Sequence, residues 1–152
     1  MKEAGLTLVE MVVVVAIVAM IAALATVSFS TITARQSLDK STDAVVAVLD
    51  QARSLTVSAK DAVAYSVRLL STGPVLFVGP TYNAGASTNK PLVLDPRLSI
   101  TNISLSGAGQ DVKFSKLTGT TTQSGTFRVT LTSTPSSYRT VTVYATGVVE
   151  AQ

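Results

Sequence analysis

The sequence Gly5-Leu6-Thr7-Leu8-Val9-Glu10, followed by the apolar run from Met11 to Val27, decides how this chain folds. Glu10 is the one charged residue in a segment that is otherwise apolar enough for a membrane. A carboxylate at the centre of a membrane helix costs about 2.5–3.5 kcal/mol, so an acid here indicates a task other than burial. Only five residues precede Leu6, and they end in Gly5. A secretory signal instead places its cleavage site after the apolar segment. The start of the chain therefore differs from an ordinary secretory signal.

This N-terminal sequence resembles the type III signal of type IV pilins and type II secretion pseudopilins. In that family a prepilin peptidase cuts after the glycine, N-methylates the new first residue, and the acid five places into the mature chain guides assembly. The resemblance implies cleavage between Gly5 and Leu6, methylation of Leu6, and an assembly role for Glu10. The first mature residue of the family is more often Phe, and here it is Leu.

The resemblance also implies a function, a location and partners. The expected protein is a non-enzymatic structural subunit of a pilus-like or pseudopilus filament. It would be a single-pass protein of the inner (cytoplasmic) membrane, with its C-terminal domain outside the cytoplasm, until it is incorporated into the filament. Its expected partners are other pilin or pseudopilin subunits, the prepilin peptidase, the inner-membrane assembly platform and membrane lipid.

Two other interpretations of the N-terminus compete with this one. Ala23-Leu24-Ala25 is a small-x-small site that an ordinary signal peptidase could cut after Ala25. A single-pass anchor with an incidental Glu10 is the other. Lys2 against Arg35 and Lys40 gives only a weak charge bias, so the orientation rests on the family resemblance.

Length and composition bound the rest of the chain. With 152 residues, one hydrophobic anchor and one small globular domain are expected, and the net charge of +3 selects no partner. The sequence contains no Cys and no His, which removes disulfides, catalytic thiols, and the commonest general base and metal ligand. We expect no enzymatic activity, no cofactor and no metal. Asp95 and Asp111 could bind calcium together with loop carbonyls, but a solvated acid is expected at each because no clustered ligand spacing surrounds them.

A long helix is predicted at the N-terminus. Neither Gly nor Pro occurs from Leu6 to Thr72, and the apolar stretch 6–29 is long enough to span a bilayer. Apolar residues then recur at spacings of three, four and seven, which predicts a stripe that packs on a sheet. The expected organisation is a leader at 1–5, a transmembrane or filament-core helix at 6–29, and a pilin-like globular domain at 30–152, helical to about residue 60. The stripe consists of Leu38, Val45, Val48, Leu49, Ala52, Leu55 and Ala59.

Beyond residue 60 the apolar residues alternate, which predicts strands. Residues 63–69 and 75–78 are expected to form a hairpin around Gly73-Pro74, followed by a loop at 79–90. Short strands are expected at 91–94 and 98–105. The last third continues with apolar positions Val112, Phe114, Leu117, Phe127, Val129, Leu131, Val141 and Val143, with turns at 118–125 and 133–137. The predicted fold class is α+β, a long helix packed on an antiparallel sheet.

The C-terminal third supports one refinement and one alternative. The order Phe114, Gly119, Gly125, two alternating strands and Gly147 resembles the pattern of the GspH/FimT-type minor pseudopilins. The alternative function is DNA binding for uptake, because cations on adjacent strands could contact phosphates without reading sequence. A solvated sheet face is the other interpretation of the same cations, since the net charge is small. They are Lys113, Lys116, Arg128 and Arg139.

Overall fold

A computed structural model describes residues 7–58, 63–107 and 109–152, without the side chains of residues 24–31. Helix α1 spans Leu8–Val57, as expected for a segment with neither Gly nor Pro. The chain divides into two compact units, Met1–Gln36 and Ser37–Gln152. The predicted leader, and the predicted end of the helix near Ala59, lie outside the described residues.

The apolar start of α1 was predicted to span a membrane from residue 6 to residue 29. Among the residues that the structure describes, no helix offers a stretch long and apolar enough to cross a membrane. Leu6 and the side chains of residues 24–29 belong to that predicted span but not to the described set. The boundaries of the span therefore stay a prediction.

The second half of α1 buries one stripe of side chains at alternating spacings of four and three residues. This spacing keeps them on one face of an α-helix. Leu38, Val45, Leu49 and Ala52 are buried as predicted, whereas Val48 and Leu55 are only half-buried. Thr42 and Thr56 complete the stripe and were missed, because their hydroxyls made them look like polar surface positions.

In the part of the chain that the structure describes, eight strands follow α1 and form two antiparallel sheets, where the sequence predicted a single sheet. The first sheet has the order β3-β2-β1-β5 and the second the order β4-β6-β7-β8. Within the described residues their bounds are β1 Tyr65–Leu70, β2 Gly73–Val78, β3 Lys90–Pro91, β4 Leu98–Leu105, β5 Asp111–Lys113, β6 Gly125–Leu131, β7 Thr134–Val143 and β8 Val149–Ala151.

Several strand predictions are confirmed by these bounds. The hairpin around Gly73-Pro74 is β1 paired with β2, from Tyr65 opposite Val78 to Leu70 opposite Gly73. Strand β4 has the predicted limits, 98–105. The inner faces of the two sheets carry the alternating apolar residues, which are buried to within a few per cent: Val67, Leu69, Leu76, Val112, Phe127, Val129, Leu131, Val141 and Val143.

Three local predictions were wrong. The strand expected at 91–94 ends at Pro91. The chain then bonds to the start of β2, with Leu92 N–H donating to Pro74 O at 2.9 Å, and to the β1–β2 turn, with Leu94 N–H donating to Thr72 O at 3.1 Å. The turn expected at 133–137 is only two residues long, because β7 begins at Thr134 with a register shift that absorbs the extra residues. Leu117 is 76% exposed and has a left-handed backbone, so it belongs to a turn and not to a strand.

Candidate functional site: the N-terminal motif and the C-terminal cations

The N-terminal motif begins the helix with a side-chain cap. Thr7 Oγ1 accepts a hydrogen bond from Glu10 N–H at 3.2 Å, and Thr7 O accepts one from Met11 N–H at 3.2 Å. A helix leaves its first N–H groups without backbone partners, and this arrangement provides one for Glu10. The Thr-x-x-Glu spacing is that of a capping box, a signal in the sequence that could have located the helix start.

Glu10 lies in the first turn of α1, where an acid also interacts favourably with the helix dipole. Its side chain is exposed. Gly5 and Leu6, the predicted cleavage and methylation positions, lie outside the described residues. Their roles, and the assembly role of Glu10, therefore stay predictions.

The first turns of α1 present an apolar surface on every side. Large aliphatic side chains in this part of the chain are 49–80% exposed. An amphipathic helix would hide one face against its own domain, whereas a helix that is apolar all round needs an apolar environment from elsewhere. The residues are Leu8, Val9, Met11, Val12, Val13, Val14, Val15, Ile17, Val18, Met20 and Ile21.

The four C-terminal cations do not gather into one patch. Lys113 is exposed on β5 of the first sheet, and Lys116 is exposed in the loop that follows. Arg128 and Arg139 belong to the second sheet, but their cross-strand partners place them on opposite faces. Arg139 lies opposite buried Val129, whereas Arg128 lies opposite Thr140.

The two arginines already have partners within the domain. Arg139 Nη2 pairs with Asp39 Oδ1 of α1 at 2.8 Å, and Arg139 Nε donates to the same oxygen. The guanidinium of Arg128 lies over the ring of Tyr138, 4.1 Å from its centroid, as a cation–π contact. A phosphate-binding surface would have to compete with these contacts, and the nucleic-acid alternative stays a prediction.

The two acids considered for calcium are each bound by an arginine instead of being free in solvent. Asp95 Oδ2 lies 2.7 Å from Arg97 Nη2, and Asp111 Oδ1 lies 3.1 Å from Arg68 Nη1. Within the described ranges, no three or more Asp, Glu, His or Cys side chains come together in a way that could hold a metal ion.

Comparison with known proteins gives one family match and a fold. Residues 1–26 match the family model described as the prokaryotic N-terminal methylation motif. The search among curated proteins found no match.

Two crystal structures are similar to this chain, and both are of the type IV minor pilin FimU of Pseudomonas aeruginosa strain PAO1. In space group P21 the TM-score is 0.59 at 20% identity, over 80% of this chain and 92% of FimU. In space group P65 the TM-score is 0.53 at 20% identity, over 76% and 92%. At this identity the likeness establishes the pilin-like fold, a long helix packed on antiparallel sheets.

Proposed function

We propose that this chain is a structural subunit of a type IV pilus-like or type II secretion pseudopilus filament, cut between Gly5 and Leu6 and methylated at Leu6. The methylation-motif match over residues 1–26 and the pilin-like fold support this function. The observation that carries it is the apolar surface of residues 8–21, which is exposed all round and contains a single acid.

An exposed apolar helix of this kind can be stored in lipid and then buried among equivalent helices of neighbouring subunits. Both environments keep the same apolar surface out of water, which is worth roughly 25 cal/mol per Å² in either case. Moving the helix from lipid into the filament core therefore need not be strongly unfavourable. Contacts between unlike surfaces of successive subunits do not close into a ring, and they generate an open helical filament. The subunit itself performs no reaction.

Glu10 is the part of this surface that can set the register of assembly. Cleavage after Gly5 creates an α-amine at Leu6, which is charged at neutral pH. In an apolar filament core a carboxylate needs a cation, and this amine is available on the same chain or on a neighbour. Removing one partner of a buried ion pair costs about 3–5 kcal/mol, enough to reject a subunit that docks out of register.

The methylation-motif match and the pilin-like fold also support a proposal for the domain limits, the type of subunit and the partners. We assign residues 1–5 to the leader, 6–29 to the membrane and filament-core segment, and 30–152 to the globular domain. A minor subunit of the GspH/FimT type fits the C-terminal sequence pattern and the likeness to a minor pilin. The partners would be other pilin or pseudopilin subunits, the prepilin peptidase, the assembly platform and the lipid of the inner membrane.

Intact-mass measurement of the cellular protein tests the processing step. We expect a mature chain that begins at Leu6 and carries one methyl group. A chain that begins at Thr26 would mean an ordinary secretory signal and would overturn the proposed function.

Replacement of Glu10 by Gln tests the assembly step. The amide is similar in size but uncharged, so we expect membrane insertion and cleavage after Gly5 to persist while incorporation into filaments falls at least about tenfold, a loss equivalent to about 1.4 kcal/mol. Mass spectrometry follows processing, and co-purification with sheared filaments follows incorporation. Asp43→Asn is the matched control, because it neutralises an exposed carboxylate on the same helix outside the apolar segment. Normal incorporation of the Gln variant would reject the register role.

A further inference from the structure

The outer face of the second sheet is built mostly from side chains that carry hydroxyl groups. Cross-strand partners of an antiparallel sheet share a face, so the register assigns each side chain to one side. One side holds the buried core residues Val129, Leu131 and Val141. The other side, which we call the hydroxyl face, consists of Ser99, Thr101, Ser104, Thr126, Arg128, Thr130, Tyr138, Thr140, Thr142, Tyr144, Glu150 and Gln152.

Two tyrosines mark the two ends of this face along β7. Tyr138 and Tyr144 are 37% and 41% exposed, and the other aromatic side chains that the structure describes are more buried. Tyr144 follows the last residue of β7 and continues its ladder, because Tyr144 N–H donates to Val148 O at 2.9 Å. Tyr144 is six positions after Tyr138, which places their backbones about 20 Å apart along the strand at ~3.4 Å per residue.

Both rings are held in place by a charged neighbour on the same face. The guanidinium of Arg128 lies 4.1 Å from the centroid of the Tyr138 ring. Tyr144 donates its hydroxyl to Glu150 Oε2 at 3.1 Å. Between the tyrosines, Thr140 and Thr142 alternate outward along β7, and Thr101 Oγ1 bonds Thr130 Oγ1 at 2.7 Å across the neighbouring strands. The result is a polar surface with an aromatic platform near each end.

We propose that the hydroxyl face binds an extended, uncharged polysaccharide. A sugar ring stacks its C–H face on an aromatic ring, and its hydroxyls both donate and accept hydrogen bonds, as threonine and serine hydroxyls do. The two platforms take separate sugar units of one chain, and the threonine row between them takes the hydroxyls of the intervening units. This binding is a property of the folded domain and does not depend on filament assembly.

The charges of the face favour an uncharged glycan over other macromolecules. Within the strands it carries one cation and one acid, and each already contacts a tyrosine of the face, so a neutral partner leaves neither charge without its contact. Arg97, opposite Thr132 just before β4, is already paired with Asp95. A nucleic acid would need several cations along its backbone. Tyrosine and arginine can also anchor a protein partner, and a face that served such a partner would leave all three glycans of the test below unbound.

The binding test uses the full chain in a zwitterionic detergent without a sugar head group. Cello-, chito- and malto-oligosaccharides are titrated separately, with the tyrosine fluorescence as the signal, since the chain has no Trp. Retention on insoluble cellulose and chitin gives an independent measurement. We expect saturable binding of at least one linear glycan, with an affinity that hardly changes between low and high salt because no ion pair is formed.

Two substitutions locate the site. Tyr138→Ala and Tyr144→Ala should each weaken binding by about tenfold, since a stacked aromatic contact contributes about 0.5–1.5 kcal/mol. Tyr138→Phe and Tyr144→Phe keep the ring and should retain most of the affinity. Val93→Ala, at an exposed side chain outside the hydroxyl face, is the control. Circular dichroism and thermal unfolding verify that each variant is folded.

Three results would overturn the proposal. They are no binding to any of the three glycans or either solid, binding that disappears at high salt, and binding that the tyrosine-to-alanine variants retain in full. None of them bears on cleavage after Gly5 or on the Glu10 test, so this inference and the filament function fail independently.

Discussion

Asp95 joins the helix to the loop before β4 through its carboxylate. Oδ1 accepts from Arg97 Nε and Arg97 N–H, both at 3.0 Å, and Oδ2 accepts from Arg97 Nη2 at 2.7 Å and from Ser37 Oγ at 2.8 Å. The hydrogen bond to the Arg97 side chain, then that to its backbone, then that to Ser37 hold the pKa of Asp95 well below its ordinary value.

This pKa shift predicts a pH dependence. Because the folded-state pKa lies below the unfolded value of about 3.9, ionised Asp95 stabilises the fold above that pH, and the contribution is lost as the pH falls further. Asp95→Asn cannot titrate, so its free energy of unfolding should fall less between about pH 5 and about pH 2 than that of the native chain. Asp43→Asn is the control carboxylate. Equal acid slopes for the native chain and Asp95→Asn would contradict the linkage.

Leu117 has a backbone conformation that favours glycine. Its φ is +66°, in a turn closed by the hydrogen bond from Gly119 N–H to Ser115 O at 2.9 Å, and its side chain is 76% exposed. The left-handed conformation costs an L-residue about 1–2 kcal/mol, while glycine loses about 0.5–1 kcal/mol more conformational entropy on folding. Leu117→Gly should therefore raise the free energy of unfolding by up to about 1 kcal/mol.

Denaturant titration measures this gain, and Leu117→Ala is the matched control. Alanine removes the same exposed side chain but keeps the left-handed strain, so its stability should stay close to that of the native chain. If the glycine variant were no more stable than the alanine variant, the turn would not be strained at this position.

Of these features of single residues, the sequence could predict the helix cap but not the turn conformation or the contacts of Asp95. The Thr7 cap was available from the three-residue spacing to Glu10. The positive φ of Leu117 and the hydrogen bond between Ser37 and Asp95 could not be predicted from the sequence. Both depend on how distant segments of the chain meet. The sequence did not predict the hydroxyl face as a binding surface, because threonine is common in β-strands in general.

At the scale of one element, α1 depends on two buried threonines that have different partners. Thr42 Oγ1 donates to Leu38 O, four residues back in the same helix, at 2.8 Å. Thr56 Oγ1 bonds Ala52 O in the same way, but it also accepts from Tyr65 N–H at 2.8 Å. The hydroxyl of Thr56 therefore connects the end of the helix to the first residue of β1. Among the described residues, the hydroxyl of Thr42 bonds only within its own helical turn.

Valine substitution separates the two roles, since it keeps the shape of threonine and removes the hydroxyl. Thr56→Val takes away the acceptor that Tyr65 N–H uses, so it should lower the free energy of unfolding by about 1–3 kcal/mol. Thr42→Val should change it by less than about 1 kcal/mol, because the helix carbonyl it releases already accepts a backbone bond. Denaturant unfolding of both variants measures the difference. Equal losses would contradict the role of Thr56 as a link to β1.

The elements themselves differ in how well the sequence predicts them. Alternating apolar residues located β1 and β6, because a strand with one buried face has a period of two. A continuous apolar run located β2, which is buried on both faces. The division into two sheets could not be predicted, since β5 pairs with β1 across more than forty residues and β4 pairs with β6 instead of its neighbour in sequence. Which strands pair is decided by packing over long distances, and local periodicity does not record it.

At the scale of the molecule, the boundary at Gln36/Ser37 falls within a single continuous helix. The unit Ser37–Gln152 contains both sheets and the whole buried stripe of α1, from Leu38 to Thr56. Such a unit has its own hydrophobic core, as an independently folding domain requires. The apolar pattern changes after Arg35, from uniformly apolar to amphipathic, which is close to this boundary. The domain limits expected from the sequence, 6–29 and 30–152, stay a prediction.

A chain that begins at Thr33 should therefore be a soluble, folded monomer, whereas one that begins at Lys60 should not fold. The shorter chain lacks Leu38, Val45 and Leu49, which are at most 2% exposed in the intact domain. Burying three such side chains stabilises a domain by roughly 5–9 kcal/mol, which is comparable to the whole stability of a small domain. Thermal unfolding and light scattering compare the two chains, and a peptide of residues 33–58 added to the shorter one should restore a cooperative transition. If the shorter chain unfolded at the same temperature without the peptide, α1 would not be part of the core that holds the sheets together.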